Sequence, residues 1–220
     1  MRPHLLPVAA VLAAVLALAA CSSGADASGP STSSTTSTTV DDGPQITVRV
    51  VADSEVPDGV SRLLDQEHGI EVQSMSSTDG ATMAELDPTV DAALAEQPDV
   101  LVYSGGTNDL KTGPLQMLSG VEERLGRWSK DACVVMAVPI FRYQRGTDAE
   151  VAERTKGTRL LEQGAAGAGA EVASYLDVSL AMDRKGEDFF AEGPLGDLHP
   201  GAAAYPGIAD AIAAQVRACG

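Results

Sequence analysis

The sequence is poor in histidine, cysteine and aromatic residues: three His, three Cys and 4% aromatics in 220 residues. Three cysteines cannot build a disulfide framework or a Cys-rich zinc site. Three His and three Cys, far apart in sequence, also argue against a mixed His/Cys metal site. Basic residues are few as well. Fifteen Lys and Arg stand against 31 Asp and Glu, a formal charge of −16. Nucleic acid and anionic lipid surfaces both repel such a chain. No G-x-S-x-G motif occurs, and GAAGAG at 164–169 has the wrong spacing and context for a dinucleotide fingerprint. No cofactor and no metal are expected. What is present is 44% hydrophobic residues, in a length that suits one domain with a real core.

Residues 5–20 are an apolar run of mostly Leu, Ala and Val, short for a membrane span and without a basic stop-transfer flank. The run ends Leu18-Ala19-Ala20-Cys21. This resembles the bacterial lipoprotein signal, which implies that Cys21 is lipidated and becomes the new amino terminus. The alternative is an ordinary secretory signal with Cys21 incidental. Cleavage before Cys21 leaves 220 − 20 = 200 residues and, with Arg2 gone, a charge of 14 − 31 = −17. Acyl chains on Cys21 would anchor the protein to the membrane on its extracytoplasmic side. Segment 31–39 is entirely Ser and Thr and cannot bury enough apolar surface to order itself. The expected organisation is therefore a signal at 1–20, a lipidated Cys and disordered tether at 21–43, and a folded domain at 44–220. The tether would span on the order of 25 Å. A monomer is expected.

The domain reads as alternating strands and helices. Strands are expected at 46–52, 70–75, 100–104, 133–138 and 171–175, from short apolar, largely β-branched runs. Helices are expected at 60–68 with Gly69 as C-cap, and at 88–97 with Asp87 as N-cap and Pro88 in first position. Others are expected at 114–130, 149–162 and 202–217. Five short apolar strands separated by helices predict a parallel sheet covered on both faces, a flavodoxin-like α/β/α sandwich. In such sheets a ligand site lies at the carboxyl ends of the strands.

Four polar or Gly-containing turns fall there. Ala52-Asp53-Ser54-Glu55 follows the first strand, and Ser76 to Thr82, with Gly80, follows the second. Gly105-Gly106-Thr107-Asn108-Asp109 follows the third. Gly196-Asp197-Leu198-His199-Pro200 precedes the last helix. This ordered set, Ser54, Gly80, Asn108 and His199, resembles the SGNH/GDSL hydrolase family, over about residues 46–214. Gly106-Thr107-Asn108-Asp109 is its most specific block. Tyr205 stands where the family often has an aromatic residue. The resemblance implies a serine esterase on a three-layer sandwich, with Ser54 as nucleophile and His199 as base. It also implies an oxyanion hole from the backbone N–H groups of Ser54 and Gly80 and the Asn108 amide.

The chemistry fits those residue types. A Ser hydroxyl needs a base to take its proton, and imidazole titrates near neutral pH. An oxyanion needs preorganised donors, and glycine lets the backbone approach a ligand without a Cβ. After signal cleavage only His68 and His199 remain. His68 is expected at a helix end in a structural role, which leaves His199 as base. Taken singly, Ser54 could cap a helix and Asn108 or Asp109 could cap or turn. Two positions depart from the family pattern. The family has Asp three residues before the His; here Gly196 is there, and Asp197 lies two before. Asp197, Glu192 or a backbone carbonyl could orient His199, or the site could run as a dyad. Glu55 follows the Ser where an apolar residue is usual. Its carboxylate could raise the pKa of His199 or repel anionic substrates.

Phe189 and Phe190 could line an acyl pocket or pack in the core, and Trp128 reads as core. Cys133 begins the fourth strand at the amino edge of the sheet, and the last helix runs back to that edge. A Cys133–Cys219 disulfide is therefore expected in an exported protein. The expected substrate is a small-molecule, glycan or lipid ester, with carbohydrate O-deacetylation slightly favoured. Two competitors are a catalytically weak or inactive binding protein on the same fold, and an acyltransferase using the same acyl-enzyme.

Overall fold

The structure is a computed structural model and describes residues 45–112, 114–140, 148–191 and 199–220. Five strands form one sheet: β1 (Ile46–Ala52), β2 (Ile70–Ser77), β3 (Val100–Ser104), β4 (Cys133–Val138) and β5 (Glu171–Ser174). Their order is β2-β1-β3-β4-β5 and every pairing is parallel. This is the expected flavodoxin-like order. The helices are α1 (Asp58–Leu64), α2 (Met83–Ala95), α3 (Pro114–Trp128), α4 (Asp148–Gly167), α5 (Tyr175–Asp183) and α6 (Tyr205–Cys219).

The central strands are apolar throughout because both of their faces are covered. All five residues of β3 are buried. Alternate residues serve opposite faces. Val100, Val102, Val135 and Ala137 pack with Leu64 of α1, Met182 of α5 and Ile208, Ile212 and Val216 of α6. Leu101, Tyr103, Val134 and Met136 pack with Leu86 of α2, Val121 and Leu125 of α3 and Leu161 of α4. Each such side chain contributes roughly 1.5–3 kcal/mol when fully buried. Trp128 is buried in the second cluster beside Tyr103, with ring centroids 4.8 Å apart.

Several boundaries differ from expectation. Helix α2 starts before Pro88, which lies inside it, and Asp87 is not its cap. Thr82 takes that place: the Glu85 carboxylate accepts from the Thr82 N–H and hydroxyl, each at 2.8 Å. That position of Pro88 forgoes one helical hydrogen bond. Asp87 instead receives both Nε and Nη2 of Arg124, at 2.8 and 2.7 Å, and so ties α2 to α3. Helix α1 ends at Leu64, so His68 lies in the turn beyond it and not in a last helical turn. Gly69, at φ +79°, closes that turn rather than the helix. Helix α4 runs on through Gly164 to Gly167. Helix α5 was not expected. It follows β5 without a loop, and the last strand residue, Ser174, caps it by accepting from the Asp177 N–H at 3.0 Å.

Cys133 at the start of β4 and Cys219 at the end of α6 form the expected disulfide, with Cα atoms 5.9 Å apart. The carboxyl terminus lies at the same edge: a Cβ on Gly220 would stand 3.0 Å from Cδ1 of Ile46, the first residue of β1. The expected signal, Cys21 and the tether lie outside the described residues. Among the described residues, no helix is long and apolar enough to cross a membrane.

Candidate active site

Strands β1 and β3 are neighbours, and the chain leaves β1 toward β2 but β3 toward β4. Their carboxyl ends therefore form the switch point of the sheet, where α/β folds open a crevice. Ser54 follows β1 after one residue, Asp53, and is half-buried in the turn before α1. The residue capping α1 is Pro57, so Ser54 has no capping duty.

Asp53 builds the floor. It is fully buried. Its Oδ1 accepts from the Glu55 N–H at 3.0 Å, and its Oδ2 accepts from the Thr107 hydroxyl at 2.8 Å and the Asn108 amide at 3.3 Å. Its own N–H donates to the Ser104 carbonyl at 3.0 Å, and its carbonyl accepts from the Ser77 hydroxyl at 2.9 Å. One residue thus joins the ends of β1, β2 and β3. Hydrogen bonds to a buried carboxylate are of the stronger, charge-assisted kind. Nothing beyond its place in Ala52-Asp53-Ser54 pointed to this role in the sequence.

Asn108 lies in a 3-10 turn, Thr107–Thr112, directly beyond β3. Its amide nitrogen donates both to Asp53 and to the Ala81 carbonyl, the latter at 3.0 Å. The second bond draws the Gly80 turn toward Asn108. Gly80 is exposed at φ +73°, and no protein atom lies within 4 Å of where its Cβ would be. Glycine is needed there for the backbone angle, and that side of the turn is open. Asp109 accepts from the Met83 N–H at 2.9 Å, which caps α2 from across the site.

His199 is held beside an antiparallel backbone bridge. Phe190 and Pro200 form an antiparallel bridge. The Ala191 N–H donates to the His199 carbonyl at 3.1 Å, and the Gly201 N–H donates to the Phe189 carbonyl at 2.8 Å. Phe189 is buried against Phe190 and Tyr175, at centroid distances of 4.9 and 6.3 Å, so it anchors the bridge in the core. Next to the bridge, Nδ1 of His199 stands 3.9 Å from Oε1 of Glu55. The histidine side chain is 34% exposed and the glutamate 3%. The Tyr175 phenol is fully buried and pushed well above its ordinary range, first by burial and then by the negative charges of Glu55 and Asp53.

The structure thus brings together Ser54, Gly80 and Asn108 through the Asp53 and Ala81 bonds, and His199 through Glu55. Asp197, Gly196 and Glu192 lie outside the described residues. Among the described residues, no group of three or more His, Cys, Asp or Glu side chains could hold a metal ion.

The family model for GDSL-like lipases and acylhydrolases matches residues 34–206. No curated protein sequence matches the chain. Solved structures share the fold at low identity. A member of the lipolytic G-D-S-L family from Veillonella parvula aligns at 15% identity and TM-score 0.57, covering 75% of this chain and 94% of that one. A lipase/acylhydrolase from Enterococcus faecalis aligns at 17% and 0.56, covering 78% and 95%. A catalytic mutant of an acetylxylan esterase from Geobacillus stearothermophilus aligns at 16% and 0.57, covering 79% and 95%. A five-stranded parallel sheet, the ordered Ser, Gly, Asn and His turns at its carboxyl edge and a family match over most of the chain agree: this protein belongs to the GDSL-like lipase/acylhydrolase family, the SGNH hydrolases, and is a serine ester hydrolase.

Proposed function

We propose that the chain is an exported esterase, held at the membrane by lipid on Cys21, that cleaves a neutral acyl ester through an acyl-enzyme on Ser54. One observation supports this reading most: the imidazole of His199, remote in sequence, stands 3.9 Å from the residue next to Ser54. In this scheme Ser54 Oγ attacks the acyl carbon and its proton passes to Nε2 of His199. The oxyanion is received by the N–H groups of Ser54 and Gly80 and by the Asn108 amide. The 3.3 Å bond from Asn108 to Asp53 is the weaker of its two and the one an oxyanion would displace. His199 then protonates the leaving alkoxide, and water releases the acid.

An O-acetylated envelope carbohydrate is the favoured substrate class, with a lipid ester second. The formal charge of −16 disfavours polyanionic esters. The acetylxylan esterase neighbour adds a second support for acetylated sugars. The carboxylate beside Nδ1 of His199 favours a catalytic site over an inactive binding protein, because it supplies what a His base needs. The test is hydrolysis of p-nitrophenyl acetate and butyrate, together with fluorophosphonate labelling. Wild type is expected to hydrolyse and label, while Ser54→Ala and His199→Ala do neither. Wild type that is inert in both assays would sink the reading. Product analysis with an acceptor sugar separates hydrolysis from acyl transfer.

A further inference from the structure

Glu55 is a nearly inaccessible carboxylate immediately after the nucleophile. An ionised carboxylate removed from water is costly unless it is paired. Its place in the fold supplies a partner: Oε1 stands 3.9 Å from Nδ1 of His199. That is ion-pair distance, and such contacts tighten into hydrogen bonds when an active site charges. The two ring nitrogens point in different directions. A negative charge beside Nδ1 holds a proton there and leaves the lone pair on Nε2, the form that accepts a serine proton. The same charge then stabilises the imidazolium as it forms. These are the two tasks of the third member of a serine triad.

Among the described residues, neither Asp53 nor Tyr175 fits this role. Both oxygens of Asp53, on the same turn, already accept from Glu55, Thr107 and Asn108. Tyr175, from α5, stays neutral because burial and the two carboxylates oppose its ionisation. We propose that Glu55 is the positioning carboxylate of His199, so that the nucleophile and the acid of the triad are adjacent residues on one turn. The proposal rests on the reading of Ser54 and His199 as the catalytic pair. It gives Glu55 the role for which Asp197 is a candidate in the sequence.

The experiment measures the His199 ring by nitrogen-15 NMR in wild type and in Glu55→Gln, with His68→Gln to assign the signals. In wild type the neutral ring is expected to carry its proton on Nδ1. In Glu55→Gln the ring is expected to titrate at least one pH unit lower, because the favouring charge is gone. The acid limb of kcat/KM moves the same way, since the base must be neutral to act. kcat falls about 100-fold or more while KM stays within about threefold. Glu55→Asp, which keeps the charge, recovers part of kcat. Three results would overturn the proposal: a wild-type proton on Nε2, a Glu55→Gln titration equal to wild type, or a titration shifted by Asp197→Asn and not by Glu55→Gln. The wild-type tautomer needs no change at Glu55, only the His68→Gln assignment, and so survives a folding failure in Glu55→Gln. The NMR readouts also stand apart from the esterase reading. A wild type that neither hydrolyses nor labels defeats that reading, while the ring titration still decides on Glu55.

Discussion

Asp53 holds more of this site together than the residues expected to do the chemistry. Its carboxylate takes the Glu55 N–H, the Thr107 hydroxyl and the Asn108 amide, and its backbone reaches Ser77 and Ser104. Asp53→Ala leaves those donors without an acceptor in a dry place. It is expected to destabilise the fold by about 3 kcal/mol. It should also reduce kcat at least 100-fold in protein that remains folded, because the Ser54 turn and Asn108 lose their common anchor. Urea unfolding and steady-state kinetics read the two effects separately, and an active, fully stable variant would contradict both. Ser54, Asn108 and His199 are singled out in the sequence by the order of the four strand-end blocks and by the scarcity of histidine. Glu55 stands out in the sequence as a departure from pattern whose carboxylate could act on His199. That it faces Nδ1, at 3.9 Å, is not legible there, since nothing local to either residue fixes the geometry of a contact between distant parts of the chain.

At the scale of elements, the histidine is placed by the Phe190–Pro200 bridge, beside which Gly201 is closely packed. A Cβ there would stand 3.0 Å from the Ala191 nitrogen and from the carbonyl carbon and oxygen of Phe190. These are backbone atoms and cannot swing aside as a side-chain tip can. Gly201→Ala is therefore expected to part the two backbone segments of the bridge and shift His199 with them. A tenfold or larger fall in kcat should accompany a stability loss of roughly 1–3 kcal/mol. Kinetics and thermal melting check this, and wild-type kcat in the variant would refute it. The strands were legible because short apolar runs with both faces covered leave little ambiguity. The helix ends were less so. Pro88 reads as a first helical position, yet Thr82 and Glu85 carry a capping box upstream and win. Helix α5 was missed because β5 passes into it without a turn, so Ser174 ends one element and caps the next.

At the scale of the molecule, the Cys133–Cys219 bond closes a long stretch of chain, 86 residues apart in sequence, and pins the end of α6 to the start of β4. Replacing both cysteines by serine is expected to cost about 2–4 kcal/mol, mostly through the unfolded chain. kcat should stay within about twofold, because the bond lies at the edge of the sheet away from Ser54. Melting curves with and without reductant, beside the double variant, measure the effect, and equal melting temperatures would reject it. Gly220 and Ile46 meet at that same edge, while β1 delivers Ser54 at the other. A strand of seven residues, at roughly 3.3 Å each, separates the two by about 20 Å. Any chain preceding Gln45 therefore joins the domain at its base, with the catalytic mouth at the opposite pole.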